Sequence, residues 1–335
     1  MTTEATEVTL RLNIPYLYTY WLRAMEPTTK FRDEAREWDK ENTLLSGLRL
    51  NLLETHRFLY QPDRPSFEAF EEWVLAINGG AIDEASLTRL RDALDGKPVG
   101  SPAGNLDAVH GLTADELAFW EEHGYVVLHD AVPPESRDAA AAAIYEFLEV
   151  DPANPATWYT DKAGKSIWVP LTHHPSFWAN RHAPRLVKAF AQLWGREDLW
   201  PSVDQGGFNP PERPGWPFPG PHVHWDMTLL PPHVFGLQGI LYLTDTEANQ
   251  GAFTCIPGFH RKLESWLKAL PPNVDPRHAI LQEPGLTPVA AKAGDLVIWH
   301  HALPHGSSPN FNTRPRVAQY LFHRPTRWPY TPEWK

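Results

Sequence analysis

Apolar and polar residues along this chain follow two periods, helical at first and strand-like later. In residues 29–59, "TKFRDEAREWDKENTLLSGLRLNLLETHRFL", apolar positions recur at mixed spacings of three and four among charges, which predicts helix. "PSFEAFEEWVLAINGG" (65–80) predicts a second helix. Ser66 can cap it, Phe67, Phe70, Val74 and Ile77 line one side, and Asn78-Gly79-Gly80 ends it. "DGKPVGSPAGN" (95–105) is dense in Gly, Pro and Ser and reads as a linker or long loop, placing a boundary near residue 110. Beyond it, Thr113 and Glu116 form a capping box, Gly124 stops that helix, "YVVLH" is a short β-branched strand, and another helix starts behind Pro133-Pro134. From residue 197 onward, strand-like runs such as "GLQGILYLTD", "GAFTCIPG", "DLVIWH" and "RVAQYLFH" alternate with Pro and Gly turns, the pattern of a sandwich or barrel. There is no internal repeat and no low-complexity tract.

Composition narrows the class. With 335 residues and 42% hydrophobic content the chain can bury a full core. Its 34 prolines accompany 15 Trp, 15 Phe and 10 Tyr, so they imply long ordered loops, because a disordered chain would lack those aromatics. Cys255 is the single cysteine, which excludes an intramolecular disulfide framework and a Cys-based zinc or iron–sulfur site; any metal must be held by His and carboxylate. The net charge of -11 is spread over mixed-sign segments without a basic stripe, which argues against nucleic acid or an anionic membrane as partner. No apolar run reaches ~20 residues, and "MTTEATEVTLRL" lacks the basic start and apolar centre of a signal peptide, so a soluble cytoplasmic protein is expected.

Two stretches carry candidate chemistry. "GPHVHWDMTLL" (220–230) puts His222, His224 and Asp226 at alternate positions, so on a strand they would share a face. Alone this means little, since H-x-D arises often by chance and a polar outer face explains it equally well. "GDLVIWHHALPHGSSPNFNTRPRVAQYLF" (294–322) supplies His300, His301 and His305, then a strand that begins with Arg316. Two His and one carboxylate on one face of an octahedral ion leave positions open, as in non-haem Fe(II) oxygenases.

From Leu112 to about Phe322, two thirds of the chain, four landmarks in order resemble the phytanoyl-CoA dioxygenase family of Fe(II)/2-oxoglutarate oxygenases, which includes ectoine hydroxylase. These are "LTADELAFWEEHGYVVLHDAV", "HWD" at 224–226, "NQGAFTCIPGFH" (249–260, with Phe259 where Ser is usual) and "GDLVIWHHALPHGSSPN". The resemblance implies a mostly β fold with flanking helices: a double-stranded β-helix (jelly roll, cupin-like) core over residues 111–328, a helical N-terminal extension over 1–110 and a C-terminal tail over 329–335. It implies His224, Asp226 and His305 as ligands of Fe(II), and Arg316 and Ser307 as holders of the far carboxylate of 2-oxoglutarate, with Asn209 near the other end. A planar guanidinium suits bidentate carboxylate capture. The implied reaction uses O2 and 2-oxoglutarate to oxidise an unactivated C–H bond of a small molecule, releasing succinate and CO2. Asp226 disfavours halogenation, since related halogenases carry a small residue there.

Rivals remain at this stage. His222 could pair with His224, His300 or His301 could replace His305, and Arg314 could replace Arg316 if the turn were two residues shorter. Candidate substrate residues are Arg213, Trp216 and His222 around the loop "NPPERPGWPFPGPH", with Lys165 and Trp168 in "DKAGKSIWVPLTHH"; the loop could equally be a surface loop packed by its own aromatics. The oligomeric state is not legible. The aromatic-rich first 110 residues either pack against the barrel and shape its entrance or cover a sheet or partner surface. Two other readings are a cupin-type metalloenzyme that does not use 2-oxoglutarate, for which Arg316 and Ser307 would be unneeded, and a catalytically silent binding protein on the same fold, for which an intact triad is unexpected.

Overall fold

The computed structural model describes residues 11–26, 34–163 and 166–328. The chain forms two compact units, residues 1–99 with 326–330 and residues 100–325 with 331–335. Among the described residues no helix is long and apolar enough to cross a membrane.

The first unit contains the helices Pro15–Met25, Glu34–Gly47, Leu52–Leu59, Phe67–Ile77 and Glu84–Leu94. The periodic run that suggested one helix over 29–59 is interrupted: Arg49 takes a left-handed φ of 59°, and the Asn51 side chain accepts from the amides of Leu53 and Glu54, starting a new helix. Ser66 caps the next helix through the amide of Ala69, and Phe67, Phe70 and Val74 are buried along one face. The aromatic side chains meet each other within this unit, as Phe58 stacks on Trp73 at 4.6 Å and Phe67 meets Tyr18 edge-on at 5.1 Å.

Among the described residues the second unit holds eleven short strands. In chain order they are β1 (Tyr125–Leu128), β2 (Trp168–Val169), β3 (Leu199–Pro201), β4 (Gly206–Asn209), β5 (Leu237–Tyr242), β6 (Phe253–Cys255), β7 (Thr287–Pro288), β8 (Leu296–His300), β9 (His305–Ser307), β10 (Arg316–Tyr320) and β11 (His323–Pro325). An antiparallel six-stranded sheet runs in the order β1-β8-β5-β10-β4-β2, a three-stranded sheet in the order β7-β6-β9, and β11 pairs with β3.

Side-chain alternation assigns the two faces of the large sheet. Leu296, Ile298, Leu241 and Val317 join one cluster with Ile144 of the helix Pro134–Leu148 and Leu186 and Phe190 of the helix Pro184–Trp194. Their strand neighbours Val297, Trp299, Tyr242 and Ala318 join Phe253 and Cys255 of the small sheet in a second cluster. The large sheet is thus buried on both faces, which is why "DLVIW" is apolar throughout. Both helices begin with proline in their first turn, which is preorganised for that position.

This arrangement overturns the expectation of a mostly β chain. The β-sheet core exists, but the chain is 37% helix and only 15% strand. The strands are short, one face of the large sheet is covered by helices of its own unit, and the described elements of the first unit are all helices.

Phe190 is fully buried over Gly239 of β5, where a Cβ would come within 3.3 Å of its ring. Phe190→Ala should lower unfolding free energy by roughly 3–5 kcal/mol in a denaturant titration. A loss below about 1 kcal/mol would mean that this helix does not seal the sheet.

Candidate metal centre and active-site cavity

The H-x-D stretch is not a strand. Only His224 forms a β-bridge, to His305 at the start of β9, with each residue donating its amide to the other's carbonyl at 2.8 and 2.9 Å. Alternation survives without the strand. Trp225 is buried, its Nε1 donating to the Ala302 carbonyl at 3.0 Å, while His224 and Asp226 project to the other side.

The bridge brings three side chains together. One ligand atom from each of His224, Asp226 and His305 lies within 4.8 Å of the others. His224 Nε2 is 3.4 Å from Asp226 Oδ1, and His305 Nε2 is 3.4 Å from Asp226 Oδ2. Each ring is oriented from behind by a main-chain carbonyl: His224 Nδ1 lies 2.7 Å from the His222 oxygen, and His305 Nδ1 lies 3.0 Å from the Leu303 oxygen. A carbonyl can only accept, so Nδ1 carries the proton and Nε2 faces the shared point. Asp226 is steadied in turn by Gln238 of β5, whose Nε2 donates to Oδ2 at 2.7 Å while its Oε1 accepts from Trp299 Nε1 at 3.1 Å. Burial raises the Asp226 carboxyl, but hydrogen bonds from His224 and His305 and their charge outweigh it and hold the carboxyl well below the usual carboxylate range. Burial likewise opposes the charged His224 ring, and Asp226 outweighs it, so that ring is pushed up from its ordinary value. Two rings with outward Nε2 and one ionised carboxylate, each anchored by a second set of hydrogen bonds, are a donor set that fits a divalent cation.

A cavity of about 320 Å³ is lined by the three ligand residues. Trp168 and Ser307 lie on its wall together with Tyr320, Phe253 and Trp299. Arg316, the first residue of β10, sits behind that wall, fully buried. Its Nη1 donates to Tyr320 Oη at 3.1 Å, while Nε and Nη2 have no hydrogen-bond partner. A buried donor left unsatisfied costs about 1–3 kcal/mol, and this guanidinium carries two. Asn209 lies across from Arg316 in the β4–β10 register, but its Nδ2 is directed at the Ser308 carbonyl at 3.3 Å.

The rival residues are placed elsewhere. Arg314 is exposed and pairs with Glu247 at 3.1 Å. His300 packs among Phe235, His260 and Trp120, and burial pushes its pKa down to about 3. His301 is buried beside Gly236 and is pushed down to about 4, first by burial. Both rings are therefore neutral near pH 7, and neither belongs to the group that could hold a metal. His222 contributes its carbonyl to His224, and its ring packs edge-on against Phe218 at 5.5 Å. Arg213 lies 3.4 Å from the centre of the Tyr159 ring, which also meets Trp216 edge-on at 5.5 Å. Arg213, Trp216 and His222 are thus packed among aromatics and do not line the cavity, which the loop reaches through Pro221. Lys165 lies outside the described residues.

Gln238 and Asp204 are among the cavity residues that the sequence did not single out. Gln238 carried a signal: it is the one polar side chain in "LQGILY". Asp204, in "PSVDQGG", stood in no recognisable motif.

The profile of the phytanoyl-CoA dioxygenase (PhyH) family matches residues 120–318, more than half of the chain. A putative phytanoyl-CoA dioxygenase of Dictyostelium discoideum is 23% identical over 262 residues, covering 62% of this chain and 74% of that protein. Ectoine dioxygenase of Bordetella bronchiseptica is 24% identical over 239 residues, covering 63% and 75%. Among solved structures, the carbocyclase SnoK from nogalamycin biosynthesis is 20% identical with a TM-score of 0.47, covering 68% of this chain and 88% of that one. HygX from Streptomyces hygroscopicus, solved with nickel and 2-oxoglutarate, is 15% identical with a TM-score of 0.45, covering 65% and 88%. With the matched segment spanning both halves of the ligand group, the chain belongs to the phytanoyl-CoA dioxygenase family of Fe(II)/2-oxoglutarate-dependent oxygenases.

Proposed function

We propose that the protein hydroxylates an unactivated C–H bond of a small organic substrate, with His224, Asp226 and His305 holding Fe(II) and Arg316 and Ser307 holding the far carboxylate of 2-oxoglutarate. The observation that carries this reading is the buried Arg316 guanidinium with two unpartnered donors, close behind a cavity that the three ligand groups line. An enzyme that does not use 2-oxoglutarate would gain nothing from such a guanidinium. A silent binding protein would not need two imidazoles fixed with Nε2 outward.

Iron bound there supplies the oxidative decarboxylation of 2-oxoglutarate by dioxygen to succinate and CO2, coupled to oxidation of the substrate. The chain's own residues do the positioning. The carbonyls of His222 and Leu303 fix both rings, and Gln238 fixes Asp226. Arg316 neutralises and orients the far carboxylate, and its Nη1 bond to Tyr320 keeps the fork from swinging. Phe253, Trp299 and Tyr320 line the cavity with rings that limit water around the reacting carbon. Placement of that carbon decides which C–H bond reacts.

Two comparisons test the residue assignment. His305→Ala should abolish stoichiometric Fe(II) binding and succinate release, whereas His301→Ala should retain iron. The reverse pattern would move the distal ligand to His301. Arg316→Ala should weaken 2-oxoglutarate about a hundredfold or more in calorimetry with iron still bound, consistent with roughly 3–5 kcal/mol for breaking a buried ion pair. Arg314→Ala, an exposed pair, should change it less than threefold. Equal losses in the two variants would show that the co-substrate is held elsewhere.

A further inference from the structure

One carboxylate on the cavity wall has no part in the chemistry above. Asp204 lies in the segment that joins β3 to β4, and that segment is pinned on both sides. The Ser202 amide donates to the Phe322 carbonyl at 2.8 Å, and the Phe322 amide donates to Ser202 Oγ at 2.9 Å. The Tyr320 amide donates to the Gln205 carbonyl at 3.1 Å. Arg181, fully buried, directs Nη1 to the Thr172 carbonyl at 2.9 Å and Nη2 to the carbonyl of Asp204 itself at 2.5 Å. The Asp204 backbone is therefore fixed, while its carboxylate forms no ion pair with the described residues. Burial raises the Asp204 carboxyl; Ser202, Arg181 and Arg324 act in the opposite direction without cancelling it, and the Asp226 charge adds to the rise. Its negative charge is thus incompletely compensated.

The rest of the wall has a matching character. Trp168 and Tyr320 lie with ring centres 4.3 Å apart and Phe322 is beside them on the wall, while no Lys or Arg of the described residues lines the cavity. Charge counting points the same way. A divalent iron, the Asp226 carboxylate, dianionic 2-oxoglutarate and the Arg316 guanidinium sum to zero, and outside the ligand group Asp204 is the one charged side chain among the described residues that line the cavity, the Arg181 and Arg324 charges that oppose it lying off that wall. A phosphate, carboxylate or acyl-CoA substrate would meet repulsion there. An ammonium group would gain a carboxylate partner and flanking aromatic faces.

We infer that Asp204 is the specificity-determining residue of this cavity and that the substrate is an organic cation, its ammonium group seated at Asp204 on the wall that the paired Trp168 and Tyr320 rings share. This rests on the oxygenase reading above for the identity of the cavity as the substrate site. Asp204 acts by recognition, selecting which molecule presents a C–H bond to the metal.

Three probes of matched shape isolate charge: choline, its neutral isostere 3,3-dimethylbutan-1-ol, and anionic 3,3-dimethylbutanoate. Calorimetry on the full chain loaded with Ni(II) and 2-oxoglutarate should give choline an affinity about tenfold or more above the neutral isostere, with the anion weakest. Asp204→Asn should erase the difference between choline and the isostere, with near-native circular dichroism as the check on folding. A preference for choline below threefold in the wild type overturns the inference, whatever becomes of the variant. So does a variant that folds and keeps the preference. The preceding 2-oxoglutarate titration of the same sample separates the two readings: charge preference without 2-oxoglutarate binding removes the oxygenase reading and leaves Asp204 as a cation site, whereas 2-oxoglutarate binding without charge preference does the reverse.

Discussion

The site depends on a single main-chain pairing, the reciprocal amide-to-carbonyl bonds between His224 and His305. These residues are far apart in sequence, and neither flanking segment forms a long strand. The pairing sets the separation of the two imidazoles, and the neighbouring carbonyls of His222 and Leu303 set their rotation. Trp225 anchors the intervening position in the core through Ala302, so Asp226 must point to the same side as His224. Local backbone hydrogen bonds thus do here what a continuous sheet does elsewhere: they fix the direction of successive side chains. Gly306 reinforces the arrangement, since a Cβ there would come within 2.7 Å of the His222 carbonyl that orients the first ring.

Around this pairing, charge is arranged in layers. Asp226 is ionised beside two rings, Arg316 is fully buried behind the wall with two unpartnered donors, and Asp204 holds an incompletely compensated carboxylate on the wall itself. Each is costly in isolation, because a buried charge requires a partner. The three costs become intelligible together if the partners are a metal, a dicarboxylate and a cationic substrate. Strain of this kind is expected at a binding site, where groups are held ready for ligands that complete them.

Much of this was legible from the sequence because residue type and order carry it. The triad and Arg316 stand in motifs whose order along the chain resembles the family, and the capping box at Thr113 and stop at Gly124 follow from local rules. The share of helix was misjudged for a physical reason. "DLVIW" and "GILYL" are apolar on both faces, which already implies a covering layer on each side, yet short strands among prolines suggested a mostly β sandwich or barrel with helices only flanking it. The break at Arg49 was hidden, since apolar spacing continues through it while the backbone turns left-handed. Substrate residues were least legible. Arg213 and Trp216 are conspicuous in sequence, but their partner is Tyr159, some fifty residues away. Asp204 stands in no motif, and only the crossing of β3 to β4 beside Phe322 puts it on the cavity wall.

The central claim is that one metal bound at His224, Asp226 and His305 shares its open positions with 2-oxoglutarate. Anaerobic titration of the purified protein with Fe(II) and 2-oxoglutarate, followed by visible absorbance, tests it most directly. A weak charge-transfer band should appear only when both are present, saturate at one equivalent of iron, and be lost in Asp226→Ala. Iron that binds at one equivalent without producing the band on 2-oxoglutarate addition, or a band that survives in Asp226→Ala, would contradict the account.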